Sequence, residues 1–410
     1  MQLFYTHHHF QLHRKVHSDF WFFEFSIWLH VFSRSLVAIF IPIFLLQIGY
    51  SLPEVIFYYF LFNLIDVPLN FPARFFVKKI GARLTMMIGL LFSVGFFIYL
   101  SHLQSASLVS QNSLIILSGL AASYDAFYWV SYYYLFIKST SQKKNVSKQT
   151  SGVYIVSQLA SMLAPAFGAV ILLFFHEQVL IAISLLILMA SLIPLFKMKH
   201  LLDKPNKSSE SIQTFFKTAD KRRDYISIGF LGIHNAAESI IWPVFIYLLF
   251  SSISSIAFLP IIISLTTILF TFYAGKIKKQ QRNKVIFLGS FLLLLVWVLR
   301  IFISQPIFYY LSVVLVGLFT ILISIPLESS ICEKGEVGDT LSASMYRNLI
   351  SMFFQMLLFG ILLFFIHIFE TSFLVAALSM FLLMALHPIL REFKRKKGST
   401  LSQASSLSQE

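Results

Sequence analysis

Four ionisable side chains interrupt the long apolar runs of this sequence: Arg34, Asp66, Asp125 and Glu238. Each lies roughly a dozen residues into a stretch long enough to cross a bilayer as a helix, a crossing that takes about 20 mostly apolar residues. A charge at that depth is costly unless it faces a cavity or a partner, so these four are the first candidates for chemistry. An apolar cavity favours the protonated form of a carboxyl group. A carboxyl that takes up and releases protons is what coupling to a proton gradient requires. Three acids stand against one base, so a pair between Arg34 and Asp66 or Asp125 still leaves a carboxylate without a fixed partner. Glu238 is the better candidate for proton handling. His234 stands one helical turn before it on the same face, with Asn235 adjacent. The plainer alternative is that His234 only packs.

A second cluster is aromatic. In "SYDAFYWVSYYY", Tyr124, Tyr128 and Tyr132 recur every four residues, and Asp125, Trp129 and Tyr133 form a neighbouring stripe. Rings beside a carboxylate can stack on sugars or hold organic cations; they also mark the interfacial belt of a membrane helix. Asp125 and Trp129 are the candidates for substrate contact.

These residues need a membrane to position them. The chain is 57% hydrophobic and 12% charged, with 46 Phe among 410 residues. A soluble domain carries roughly a quarter charged residues, so the composition describes a polytopic membrane protein. Twelve spans satisfy the length rule: 21–48, 53–76, 82–103, 113–137, 150–175, 178–196, 225–250, 253–275, 284–303, 307–332, 343–367 and 371–390. The expected fold is all-α, with two six-helix bundles (21–196 and 225–390), a linker (197–224) and two tails (1–20 and 391–410). The N-terminus carries no cleavable signal pattern.

Lys and Arg fix the orientation, because they accumulate in cytoplasmic loops. With the N-terminus placed inside, 30 of the 32 fall in the tails, the linker and the alternate loops on that face. The other two are Arg34 and Arg300, both within spans. Both termini are therefore expected in the cytoplasm, and the net charge of +14 needs no nucleic acid. The single cysteine, Cys332, rules out an intrachain disulfide. The histidines of the N-terminal tail (His7, His8, His9, His13, His17) read as a flexible segment, with no metal site and no cofactor expected.

The basic turn Arg74, Lys78, Lys79, Gly81, Arg83 between spans 2 and 3 returns between spans 8 and 9 as Lys276, Lys278, Lys279, Arg282, Lys284. With six plus six helices and a basic linker, the whole chain resembles the major facilitator superfamily of secondary transporters. The family's loop motif, Gly-x-x-x-Asp-Arg-x-Gly-Arg-Arg, survives as Lys79-Ile80-Gly81-Ala82-Arg83. Arg74 stands at its first Gly and Lys78 at its Asp. In the second half Gly275 fits the first Gly, Lys279 the Asp position and Arg282 the later Gly. The family's Asp latches one conformation; with lysines in its place that latch is not expected. Span 5 carries Ala164-Pro165-x-x-Gly168-Ala169, similar to the Gly-Pro-x-x-Gly-Gly motif of the family's antiporters. The resemblance there implies export; the structural alternative is a kinked helix at the interface between halves. It also implies a cavity lined by helices 1, 4, 7 and 10 with helix 2 at its flank.

Glu328 and Arg347, with Asn348, flank loop 10–11, as an inward-side gate or a solvated salt bridge. The expected activity is proton-coupled secondary transport of a small organic solute by alternating access, by a monomer in a bacterial inner membrane; the absence of His-Glu-x-x-His, Gly-x-Ser-x-Gly and Walker patterns argues against an enzyme. A uniporter, a lipid flippase and a transport-dead sensor are the alternatives.

Overall fold

The computed structural model describes residues 21–106, 109–141, 146–198, 212–251, 253–274 and 277–387. Gly275, Lys276, the histidine-rich tail, the Ser-rich end and residues 199–211 of the central linker lie outside them. Among the described residues there is no strand. The helices are α1 (Trp21–Ile48), α2 (Leu52–Ile80), α3 (Ala82–Ala106), α4 (Gln111–Ser141), α5 (Val146–Phe174) and α6 (Glu177–Lys197) in the first half. The second half holds α7 (Ala219–Phe250), α8 (Ile253–Ala274), α9 (Arg282–Phe302), α10 (Pro306–Val337), α11 (Thr340–Leu362) and α12 (Ile368–Leu386). Ten helices among the described residues are long and apolar enough to cross a membrane; α5 and α8 carry shorter apolar runs, Leu159–Leu172 and Ile261–Thr271.

Helix ends follow from local chemistry. Gly49 ends α1 with φ +117°, and Ser51 and Glu54 form a capping box at the start of α2, the Ser51 amide donating to Glu54 Oε2 at 2.8 Å. Gly81 separates α2 from α3 with φ +95°, which favours glycine and explains why this position of the loop motif survives. α7 begins at Ala219, earlier than hydropathy indicates. Its polar first turns are satisfied across the half, since Asp224 is bonded to Lys334 at 2.5 Å and to Ser330 at 2.6 Å.

Two contacts dominate the seam between the halves: α2 packs on α11, and α5 packs on α8. Advancing each number by six turns α2 into α8 and α5 into α11, so the two contacts are one arrangement repeated by internal symmetry. Within the halves, small residues let helices approach. A Cβ on Gly168 of α5 would stand 2.7 Å from the Leu36 carbonyl of α1, and Ser33 of α1 donates to the Ser184 carbonyl of α6 at 2.7 Å.

Candidate functional site

A cavity of about 340 Å³ opens between the halves. Its walls come from α1, α2, α4, α5, α7 and α8, and include Arg34, Tyr58, Tyr59, Pro165, Glu238 and Leu259. α2 and α8 contribute their first turns, so the cavity lies away from the basic loops. Helices α5 and α8 stand at the wall where the sequence resemblance put α10, and α2, expected at the flank, joins them. Of the intramembrane candidates, Arg34 and Glu238 line the cavity from opposite halves; Asp66 and Asp125 lie one helical turn beyond the wall residues Phe62 and Ala121, toward the basic loops.

Glu238 stands in a π-helical turn, Ala237–Ile241, that interrupts α7 just before Pro243. Such bulges arise where one extra residue is accommodated in a helix, and they re-aim side chains. Here the carboxylate meets Arg300 of α9 in a two-pronged pair, Nη1–Oε2 2.5 Å and Nη2–Oε1 3.2 Å. The guanidinium also donates to Ser312 at 2.8 Å and lies 3.6 Å from the centre of the Trp242 ring. His234 accepts from Trp297 Nε1 at 2.9 Å and bonds Thr320 at 3.0 Å. Its role in this structure is therefore packing and orientation. Arg300 was visible in the sequence only as a basic residue out of place; its pairing corrects the count of three acids to one base.

Arg34 forms neither of the pairs expected for it. Among the described residues no carboxylate lies within 4.0 Å of its guanidinium. It rests instead on aromatic faces, 4.4 Å from the Tyr124 ring centre and 5.5 Å from those of Phe96 and Phe97, with one 3.4 Å bond to Ser93. One turn before it, His30 bonds the Tyr124 hydroxyl at 2.7 Å and stacks on Tyr128 at 3.9 Å. His30–Arg34 in α1 and His234–Glu238 in α7 share one spacing in equivalent helices. That repeat is the sequence signal that marks His30. The Tyr124–Tyr128–Tyr132 stripe faces α1 inside the first half, Tyr132 stacking on Phe23 at 5.8 Å, and Trp129 stacks on Tyr133 at 5.8 Å.

Asp66 and Asp125 are both buried and their carboxyl groups are neighbours. Asn70 donates to Asp66 Oδ1 at 2.9 Å. From the other half, the Asn348 amide reaches Asp66 Oδ1 at 3.4 Å, Asn70 Oδ1 at 3.2 Å and Asp125 Oδ2 at 3.4 Å. Asp66 Oδ2 is buried without a hydrogen-bond partner among the described residues. Sequence placed Asn348 at the rim; a helical turn of α11 carries it inward to the pair.

Further toward the basic loops, more side chains of the two halves are in contact. Arg74 of α2 bonds Asp339 at 3.2 Å and Ser342 at 2.6 Å, and Asp339 in turn caps α11 by accepting from the Leu341 and Ser342 amides. An ion pair thus joins the halves with its charges reversed from the family motif: the base is on the loop-motif helix and the acid on loop 10–11. Glu328 binds Arg347, and both are mostly buried, so this is no solvated rim pair; the Arg347 guanidinium lies 3.8 Å from the Tyr133 ring of the other half. Lys78 and Lys79 are exposed. Arg83 bonds the Met198 carbonyl, tying α3 to the end of α6, while Lys279 and Arg282 share Glu333 of α10 at 2.9 and 2.7 Å. Pro165 lines the cavity, whereas Gly168 packs on α1 within its own half, not across the seam.

A family model described as "Major Facilitator Superfamily" matches residues 24–345. No curated protein matches by sequence. Among solved structures, the fold is similar to the human organic anion transporter MFSD10 (TETRAN), with TM-score 0.64 and 12% identity over 92% of this chain and 99% of that one. It is also similar to a bacterial homologue of the iron transporter ferroportin in an outward-facing state, with TM-score 0.64 and 10% identity over 89% and 97%. At these identities the likeness is one of fold.

Proposed function

The chain belongs to the Major Facilitator Superfamily of membrane transporters, and on that premise we propose that it is a proton-coupled secondary transporter that moves a small organic solute by alternating access. It works as a monomer, in a bacterial inner membrane, with the solute held in the cavity between α1, α2, α4, α5, α7 and α8. The observation that carries the reading is the amide of Asn348 spanning the Asp66–Asp125 pair from the opposite half.

A proton shared by the two carboxyl groups supplies the bond that Asp66 Oδ2 otherwise lacks. Two unprotonated carboxylates in contact inside the membrane repel each other and lose that bond. The number of protons on the pair therefore alters a polar contact that joins the halves beneath the cavity. A ligand that binds two states unequally shifts their populations, and here the ligand is the proton. Glu238, neutralised by Arg300, positions the wall of the cavity and is not the proton site.

The test uses proteoliposomes loaded with a pH-sensitive dye, challenged with a panel of organic anions, organic cations and sugars. Asp66→Asn and Asp125→Asn are expected to abolish solute-dependent proton movement while solute exchange persists; Glu238→Gln is expected to retain proton movement. Proton movement unchanged in both Asp variants overturns the coupling site. Solute movement without proton movement in the wild type makes the protein a uniporter.

A further inference from the structure

Resting on that transport reading, we propose that the cavity takes an amphipathic organic anion whose carboxylate, sulfonate or phosphate group is bound by Arg34. The argument is one of charge and shape. A guanidinium exposed to a cavity inside a membrane is costly unless something neutralises it. Of the two charged residues in the cavity wall, Glu238 already has its cation in Arg300, bonded through both oxygens. Arg34 has aromatic rings and a hydroxyl but no carboxylate within 4.0 Å among the described residues.

Summed over Arg34, Glu238 and Arg300, these side chains carry one positive charge, on Arg34, with no carboxylate in contact with it among the described residues. The remaining nearby acids, Asp66 and Asp125, lie a turn away and are engaged with Asn70 and Asn348. An anion arriving in the cavity supplies what Arg34 lacks. The planar guanidinium fork of Arg34 donates to carboxylate or phosphate oxygens in pairs.

The rest of the wall suits a hydrophobic body. Ile39, Tyr58, Phe62, Leu259 and Ile263 surround the space. About 340 Å³ is at the small end of the range for ligand cavities. A free solute fits that size better than a two-chain lipid, and a lipid headgroup remains an outcome that the experiment separates.

The experiment measures binding, so it does not depend on proton coupling. Purified wild type is melted in detergent with 4-phenylbutyrate, 4-phenylbutylamine or 4-phenylbutanol, which share a body and differ in charge, and with phenylphosphate and a phosphatidylglycerol mixed micelle. The expected result is stabilisation by the phenylbutyrate or phenylphosphate anion, at least tenfold weaker for the amine and the alcohol. Arg34→Gln is expected to lose the anion effect and Arg34→Lys to keep part of it. If Arg34→Gln does not fold, Ala38→Trp, which fills the cavity and leaves Arg34 in place, is expected to lose it instead. The proposal is overturned by stabilisation with the amine or alcohol equal to the anion, by no stabilisation with either soluble anion, or by stabilisation with the lipid alone. Anion binding with no proton movement in liposomes leaves this inference standing and removes the coupling reading.

Discussion

Arg74 and Asp339 meet across the seam between the halves, Nη2 to Oδ2 3.2 Å, although they are far apart in the chain. Asp339 also caps α11, so one carboxylate serves both a helix end and a contact between the halves on the basic side. A hydrogen bond to a charged group is worth about 1.5–3 kcal/mol, and each 1.4 kcal/mol is roughly tenfold in a population. Arg74→Ala is expected to raise opening of the basic side about tenfold. A cysteine at Ile137, placed in a Cys332→Ser background, reads this as faster thiol labelling from that side. Unchanged labelling removes the latch role.

The Glu238–Arg300 pair is buried, so its members are expected to be non-additive. Removing one partner of a buried pair typically costs about 3–5 kcal/mol, because the other charge is left stranded. Arg300→Met alone is expected to lower the melting temperature more than the Glu238→Gln, Arg300→Met double variant does. Melts in detergent of wild type, both single variants and the double close the cycle. Additive losses argue against direct pairing.

Gly168 tests the packing of α5 on α1. A methyl group there meets the Leu36 carbonyl at 2.7 Å and Phe40 at 3.2 Å, and a backbone carbonyl cannot swing aside. Gly168→Ala is expected to destabilise by about 1–3 kcal/mol and Gly168→Val by more. A Gly168→Val protein that melts like wild type contradicts the close approach.

His387, just beyond the end of α12, gives a pH dependence. It bonds Ser227 at 2.9 Å and Asn283 at 3.2 Å, and burial, reinforced by the nearby Arg223, pushes its imidazole down to about 4 from the ordinary 6.5. The folded state therefore binds the proton less readily than the unfolded state. Its contribution is complete above about pH 6.5 and is lost as the pH falls toward 4. Melting temperature is expected to decline across that window in wild type, and the decline is expected to flatten in His387→Gln. An identical pH profile in the variant assigns the decline to other groups.

Composition and spacing were enough to read twelve helices, their repeat in two halves and the basic faces, because a bilayer imposes length and polarity on each segment independently of its neighbours. The same rule marked Arg34, Asp66, Asp125 and Glu238 as buried charges. Which charge meets which was decided only by tertiary packing. Glu238 and Arg300 lie on α7 and α9, Asp66 and Asn348 on α2 and α11. Those pairings depend on the rotation of each helix about its axis and on the π-helical turn at Ala237–Ile241, which shifts the facing of everything after it. Hydropathy averages over a whole turn and carries no record of that rotation. The latch shows the same division. Loop composition located Arg74 and the absence of the expected acid, while Asp339, from the opposite half, became its partner only because α2 lies against α11.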